Sequence, residues 1–170
     1  RSYLPMVEKK LVDMTVHEKQ FVYLDDKAVF SNAWAGNLYA KHETSNARLF
    51  CPGPDFTFLV SDGKNLKIIQ DSRVWDEKLL SDKEALDIRF DAPNNRFLIL
   101  SNQSIEAYSL ATKELKTVFQ GKDFTCFEVA NSKIYVGTHN GYFVLQADSF
   151  KPLGDIQRKL PSTDLTTVAV

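Results

Sequence analysis

Between Leu86 and Phe119 four short apolar stretches follow one another, separated by tight turns, and the same plan begins again at Phe124. Leu86, Ile88 and Phe90 alternate with Asp87, Arg89 and Asp91, the period-two mark of a strand with one buried face. Ala92-Pro93-Asn94-Asn95 ends that stretch. Phe97 to Leu100, the alternating run from Ile105 to Leu110, and Leu115 to Phe119 follow, with breaks at Ser101-Asn102-Gln103 and Thr112-Lys113-Glu114. The next copy reads Phe124, Cys126, Phe127 and Val129, a turn at Asn131-Ser132, Lys133 to Thr138, a turn at His139-Asn140-Gly141, and Tyr142 to Leu145. Aligned starts at Leu11, Ala47, Leu86, Phe124 and Leu165 recur roughly every 36 to 41 residues, close to the length of a propeller blade.

A meander of four short antiparallel strands is the form of one such blade. The expected fold is therefore all-β: β-propeller blades over 11–46, 47–85, 86–123 and 124–164, with the first strand of another starting at 165, together part of a larger ring. In the first blade the strand candidates are Val12 to Val16, Phe21 to Leu24, Ala28 to Phe30 and Leu38 to Ala40. In the second, Phe56 to Val60 suits either the second strand of its own blade or the first of the next. Ser81 to Ala85 has mild helical character, at most one turn. An antiparallel sandwich also uses short strands with frequent turns, but the aligned period favours the propeller. An open arc leaves blade edges and faces uncovered, so the remaining blades of the same protein, or a second copy, are the expected cover.

With 44% apolar and 25% charged residues in 170 positions, the chain can bury a sizeable core. The 21 Lys and Arg balance 22 Asp and Glu, which leaves no bulk field to attract nucleic acid. No apolar run approaches the ~20 residues of a membrane span and the first ten residues lack the order of a signal peptide, so membrane association is expected only through segments outside this sequence. Cys51 and Cys126 sit in apolar surroundings and read as buried core thiols rather than a disulfide or a nucleophile. No Cys-x-x-Cys spacing points to zinc. His17, His42 and His139 are scattered, and in a strand the adjacent pairs His17-Glu18 and His42-Glu43 point to opposite faces, so no metal is expected. Asp25-Asp26, beside Lys27, is read as a solvated turn rather than an acid–base pair or a calcium site. Without a nucleophile elbow, P-loop or dinucleotide fingerprint, no cofactor and no catalytic residue is assigned.

Two tryptophans, Trp34 before Ala35-Gly36-Asn37 and Trp75 beside Asp76, fall at or near predicted loops, where a flat ring next to hydrogen-bonding groups suits stacking on a sugar. The segment Ile134-Tyr135-Val136-Gly137-Thr138-His139-Asn140-Gly141-Tyr142-Phe143-Val144-Leu145 resembles the repeat of two-component regulator propellers, in which a strand ending Gly-Thr precedes Asn-Gly and an apolar strand. The run from Lys159 to Val170 resembles the join between blades in that family. The resemblance implies the extracytoplasmic sensor region of a bacterial membrane histidine kinase, often of a hybrid type that detects glycan fragments. In physical terms Gly137 permits close backbone approach, Thr138 suits a strand end, and Asn140-Gly141 offers the positive φ values of a tight hairpin.

The expected function is non-enzymatic: a ligand-recognition module on the periplasmic or extracellular side of a bacterial envelope, binding an oligosaccharide, with Trp34, Trp75, Tyr135, His139, Asn140 and Tyr142 as candidate contacts and Gly137, Thr138 and Gly141 as structural residues. A cytoplasmic scaffold propeller for protein partners is the alternative. A propeller hydrolase or lyase, with Asp25, Asp26 and His139 converging on a central channel, is the third.

Overall fold

The computed structural model describes residues 11–17, 20–25, 28–33, 39–43, 47–55, 57–63, 65–70, 76–81 and 84–154, with side chains for 47–55, 57–63, 65–69 and 84–154. The backbone divides into two compact units, Arg1–Glu84 and Ala85–Val170.

In the first unit, strands β1 (Leu11–His17), β2 (Gln20–Asp25), β3 (Ala28–Ala33) and β4 (Tyr39–Glu43) form one sheet in chain order. Strands β5 (Leu49–Pro52), β6 (Phe58–Ser61), β7 (Leu66–Gln70) and β8 (Asp76–Ser81) form a second. All neighbours are antiparallel, as short connections require. Val60 pairs with Phe50 on one side and Lys67 on the other, which makes the Phe58 stretch the second strand of its own sheet. Every residue of β6 is buried, and Ala47, Phe50, Phe58, Val60 and Ile69 form one core cluster. Between β6 and β7, Asp62 accepts hydrogen bonds from the Asn65 amide at 2.7 Å and its side chain at 3.1 Å, an Asx turn in which Gly63 takes φ +90°.

The second unit repeats the design. Strands β9 (Asp87–Asp91), β10 (Arg96–Leu100), β11 (Ser104–Ser109) and β12 (Glu114–Gln120) make one sheet, and β13 (Phe124–Ala130), β14 (Lys133–Thr138) and β15 (Gly141–Gln146) another. After β15 the chain turns and comes back alongside it, with Gln146 N–H bonded to Lys151 O at 2.9 Å and Leu153 N–H to Val144 O at 2.8 Å. One face of each sheet meets the other in a shared core of Leu98, Leu100, Ile105, Phe124, Phe127, Ile134, Val136 and Leu145. A bulge between Phe124 and Cys126 lets both Phe124 and Phe127 reach this core, which explains the broken alternation of that stretch. At one end of this unit a buried ion pair ties the sheets together. Asp91, only 2% exposed, accepts bonds from Arg96 Nε at 2.8 Å and Asn94 Nδ2 at 2.9 Å. The same guanidinium donates to Ala147 O and lies 4.5 Å over the Phe150 ring.

Three expectations need correction. Leu86 does not share the buried face of Ile88 and Phe90. It lies in a bend before β9 begins, outside the pleat, and is 37% exposed. Ser81 belongs to β8, and Glu84 and Ala85 are irregular rather than helical. The one helical turn among the described residues is the 3₁₀ turn Ala92–Asn94, where Pro93 presets φ. In the β14–β15 hairpin Thr138 pairs with Gly141, so the loop residues are His139 and Asn140, and positive φ falls on Gly141 at +140° but not on Asn140. The Asn-Gly pair is offset by one from the centre of the turn. Asn131-Ser132 instead adopts positive φ at both positions, 52° and 58°, as a type I′ hairpin needs. The proposed blade start at Leu165 and the Lys159 to Val170 join lie outside the described residues.

Candidate functional site

The other end of the second unit is built from three connections. The β10–β11 turn carries Asn102 and Gln103, the β12–β13 link carries Gly121, Lys122 and Asp123, and the β14–β15 turn carries His139 and Asn140. Backbone bonds knit them: Gly121 N–H to Gln103 O at 2.9 Å, Phe124 N–H to Asn102 O at 3.0 Å, and His139 N–H to Asp123 O at 3.2 Å. Each turn is also fixed from within. Ser101 Oγ accepts the Ser104 amide at 3.0 Å, and Thr138 Oγ1 donates to Gly141 O at 3.1 Å while accepting the Asn140 amide at 3.2 Å.

Beneath the loops Phe119, Phe124 and Phe143 pack ring to ring, with centroids 5.4 to 6.2 Å apart. Gly121 is required here, since a Cβ would meet Phe124 Cε1 at 2.7 Å and stand closer still to Cζ. The result is a rigid apolar footing under an exposed polar rim. Asn102, Gln103, Lys122, His139 and Asn140 are all exposed. The side-chain amides of Asn102, Gln103 and Asn140 form no hydrogen bond among the described residues, so they are available to a ligand.

The first strands of the two sheets lie side by side at this end. Asp87 pairs with Leu100, immediately before the Asn102 turn, and so sits at the loop end of β9. Arg89 donates from Nη1 to Asp87 Oδ1 at 2.5 Å and from Nε to Glu128 Oε2 on β13 at 3.2 Å. Its Nη1 also donates to Ile88 O at 2.9 Å, and the guanidinium stands 5.9 Å over the Phe127 ring. Burial raises the Asp87 carboxyl above its ordinary pKa of 3.8, and the nearby Arg89 charge offsets this only in part. Burial likewise pushes up the thiol of neighbouring Cys126, which opposes thiolate formation. Cys51 and Cys126 are both buried, and they form no disulfide with each other.

No protein-family model and no curated protein matches the chain. Solved structures do. The chain is similar to the Neurospora crassa Pan2 WD40 domain at TM-score 0.64 and 13% identity, covering 90% of this chain and 52% of that one. It is similar to apo AztD from Citrobacter koseri at TM-score 0.67 and 12% identity, covering 85% and 46%. It is similar to the extracellular domain of BT4673, assigned as a one component system, from B. thetaiotaomicron at TM-score 0.64 and 10% identity, covering 89% and 23%. The fold is that of a β-propeller.

At these identities the likeness carries the fold alone, and the chain spans about half or less of each of these three structures. Each sheet is a blade in propeller terms. Within the second unit β9 and β13 meet along one edge, termed the inner edge, which carries Asp87, Arg89 and Glu128, and the polar rim lies at one end of these two blades. No helix among the described residues is long and apolar enough to cross a membrane.

Of the contacts expected from sequence, His139 and Asn140 lie on the rim. Tyr142 follows Gly141 directly and Tyr135 lies further along β14. Register puts Gly137 opposite Tyr142 and Tyr135 opposite Val144, so both tyrosines share one face of their sheet, half-buried. Gly137 is buried within β14. Trp34 and Trp75 lie outside the described residues, as does Asp26, while Asp25 ends β2. His17 ends β1 and His42 lies in β4. Sequence reading marked Asn102 and Gln103 only as part of a turn and Asp87 and Arg89 only as the polar positions of a strand, and did not single out Lys122, Asp123 or Glu128. The available signal was two successive loops rich in side-chain amides at equivalent positions of adjacent repeats.

Proposed function

We propose that this chain is the ligand-recognition part of an extracytoplasmic sensor protein of the two-component kind, binding a glycan fragment at the polar rim without chemical conversion. The observation that carries the reading is the locking of three connections from two blades into one rigid surface of unbonded amides. Preorganised donors and acceptors of this kind suit a ligand rich in hydroxyl groups, because little ordering cost remains at binding. The fold shared with the extracellular domain of BT4673 supports the sensor assignment. The raised Cys126 thiol, a poor nucleophile, fits recognition rather than covalent catalysis.

Calorimetric titration of the full chain against a panel of oligosaccharides tests the reading. Binding by at least one of them is expected, with a tenfold or larger loss in a His139→Ala/Asn140→Ala variant that melts at an unchanged temperature. No binding to any oligosaccharide removes the glycan half of the proposal.

A cytoplasmic scaffold for protein partners is the second reading, favoured by the equal similarity to the Pan2 WD40 domain. A signal peptide before this segment and a membrane span after it support the sensor. Their absence from the complete gene product supports the scaffold.

A further inference from the structure

The inner-edge group of Asp87, Arg89 and Glu128 is only half engaged by its own contacts. Arg89 uses Nε for Glu128 and Nη1 for Asp87 and Ile88, and its Nη2 makes no hydrogen bond among the described residues. Asp87 receives both of its bonds, from Arg89 and from the Ile88 amide, on Oδ1. The group thus keeps an acceptor, Asp87 Oδ2, and a donor, Arg89 Nη2, that these contacts do not use. The guanidinium cannot swing away, because it is held at two edges and lies over the Phe127 ring. The side chains remain reachable, at 19% exposure for Asp87, 35% for Arg89 and 27% for Glu128.

We infer that this group is a binding site for a vicinal diol on a ligand that carries no negative charge. Each hydroxyl of a diol both donates and accepts. One can donate to Asp87 Oδ2 while accepting from Arg89 Nη2, and its neighbour can donate to a free lone pair on Glu128. Two carboxylates against one guanidinium leave a formal charge of about −1, in a half-buried place where screening by water is weak. A sulfate or carboxylate on the ligand is repelled, and a protonated amine is attracted. The inference rests on the recognition reading above and narrows it: the saccharide is neutral or amino-bearing, and its diol lies against the first strands while the rim contacts the rest.

Titration of the full chain with three methyl hexopyranosides, one neutral, one 2-amino and one 6-sulfated, tests this. Two-dimensional NMR of the arginine Nε–Hε signals serves as a second readout that needs no variant. The neutral and amino sugars are expected to shift the Arg89 signal. The sulfated sugar is expected to bind at least tenfold more weakly. Arg89→Lys keeps the charge but loses the Nη2 donor, and should lower affinity tenfold or more. Asp87→Asn should abolish the preference for the amino sugar.

An unmoved Arg89 signal on saturation with a sugar that binds overturns the inference and leaves glycan recognition standing, as does a sulfated sugar that binds as well as the neutral one. If His139→Ala/Asn140→Ala and wild type alike bind no saccharide, the recognition reading fails and this inference fails with it.

Discussion

The two ends of the second unit differ in how their exposed side chains are used. At the end that holds the β9–β10 turn, backbone bonds such as Leu110 N–H to Asn95 O and Ala147 N–H to Ser132 O stay within a blade, and side chains cross between blades: Arg96, paired with Asp91, donates to Ala147 O and lies over the Phe150 ring. At the rim end a backbone bond, Phe124 N–H to Asn102 O, crosses between blades together with the Arg89–Glu128 bridge, and the side chains of Asn102, Gln103, His139 and Asn140 are left exposed. A buried ion pair commits its side chains to stability, because removing either partner strands a charge. A main-chain bond fixes geometry without committing the exposed side chains to it. On the proposed reading, one end holds the blades and the other presents side chains to a ligand.

Substitutions can break this contrast, and the largest effect belongs at the stapled end. Asp91→Ala leaves the largely buried Arg96 without its carboxylate and should cost about 3 kcal/mol in chemical denaturation. A cost near zero would remove the staple from the account. At the rim end the sensitive position is the footing rather than the surface. Gly121→Ala drives a methyl into the Phe124 ring and should cost about 1 to 3 kcal/mol. A neutral result would show that the aromatic trio yields freely.

Much of this fold was legible in the residues, for a physical reason. A blade strand with a buried face must alternate, and one buried on both faces must be continuous. Ile88 and Phe90 show the first pattern, and Phe97 to Leu100, buried throughout, shows the second. What the sequence conceals is pairing across blades. Asp87, Arg89 and Asp91 look like a solvent-facing row, yet Asp91 is buried and Arg89 reaches Glu128, 39 residues away. Polarity alone does not separate a charge in water from a charge with a partner. The Leu86 error has the same origin, since alternation runs on past the point where the pleat begins. His139 and Asn140 were legible because turn residues are exposed by construction, whereas their alignment with Asn102 and Asp123 depends on hydrogen bonds between blades.

The inner edge gives a smaller, pH-dependent test. Because the folded state holds the Asp87 carboxyl above 3.8, it binds more protons than the unfolded chain just above that pH. The Asp87 contribution is thus fully present below 3.8 and is lost as pH rises through the raised value. Asp87→Asn should flatten that part of the stability profile, measured as denaturation midpoint against pH. An unchanged slope would show that the carboxyl is not desolvated. The smallest stability effect is expected on the rim, where His139→Ala and Asn140→Ala should each stay within about 0.5 kcal/mol of the parent. A loss approaching that of Asp91→Ala would dissolve the distinction between the two ends.

Backbone amide NMR of the complete chain, recorded with and without a saturating oligosaccharide, tests the division of labour most directly. Ligand-induced shifts should gather at Asn102, Gln103, Lys122, Asp123, His139 and Asn140 and at the neighbouring start of β9. Shifts gathered instead around Asn95, Asn131, Ser132 and Phe150 would contradict it, because the stapled end would then be the one that binds.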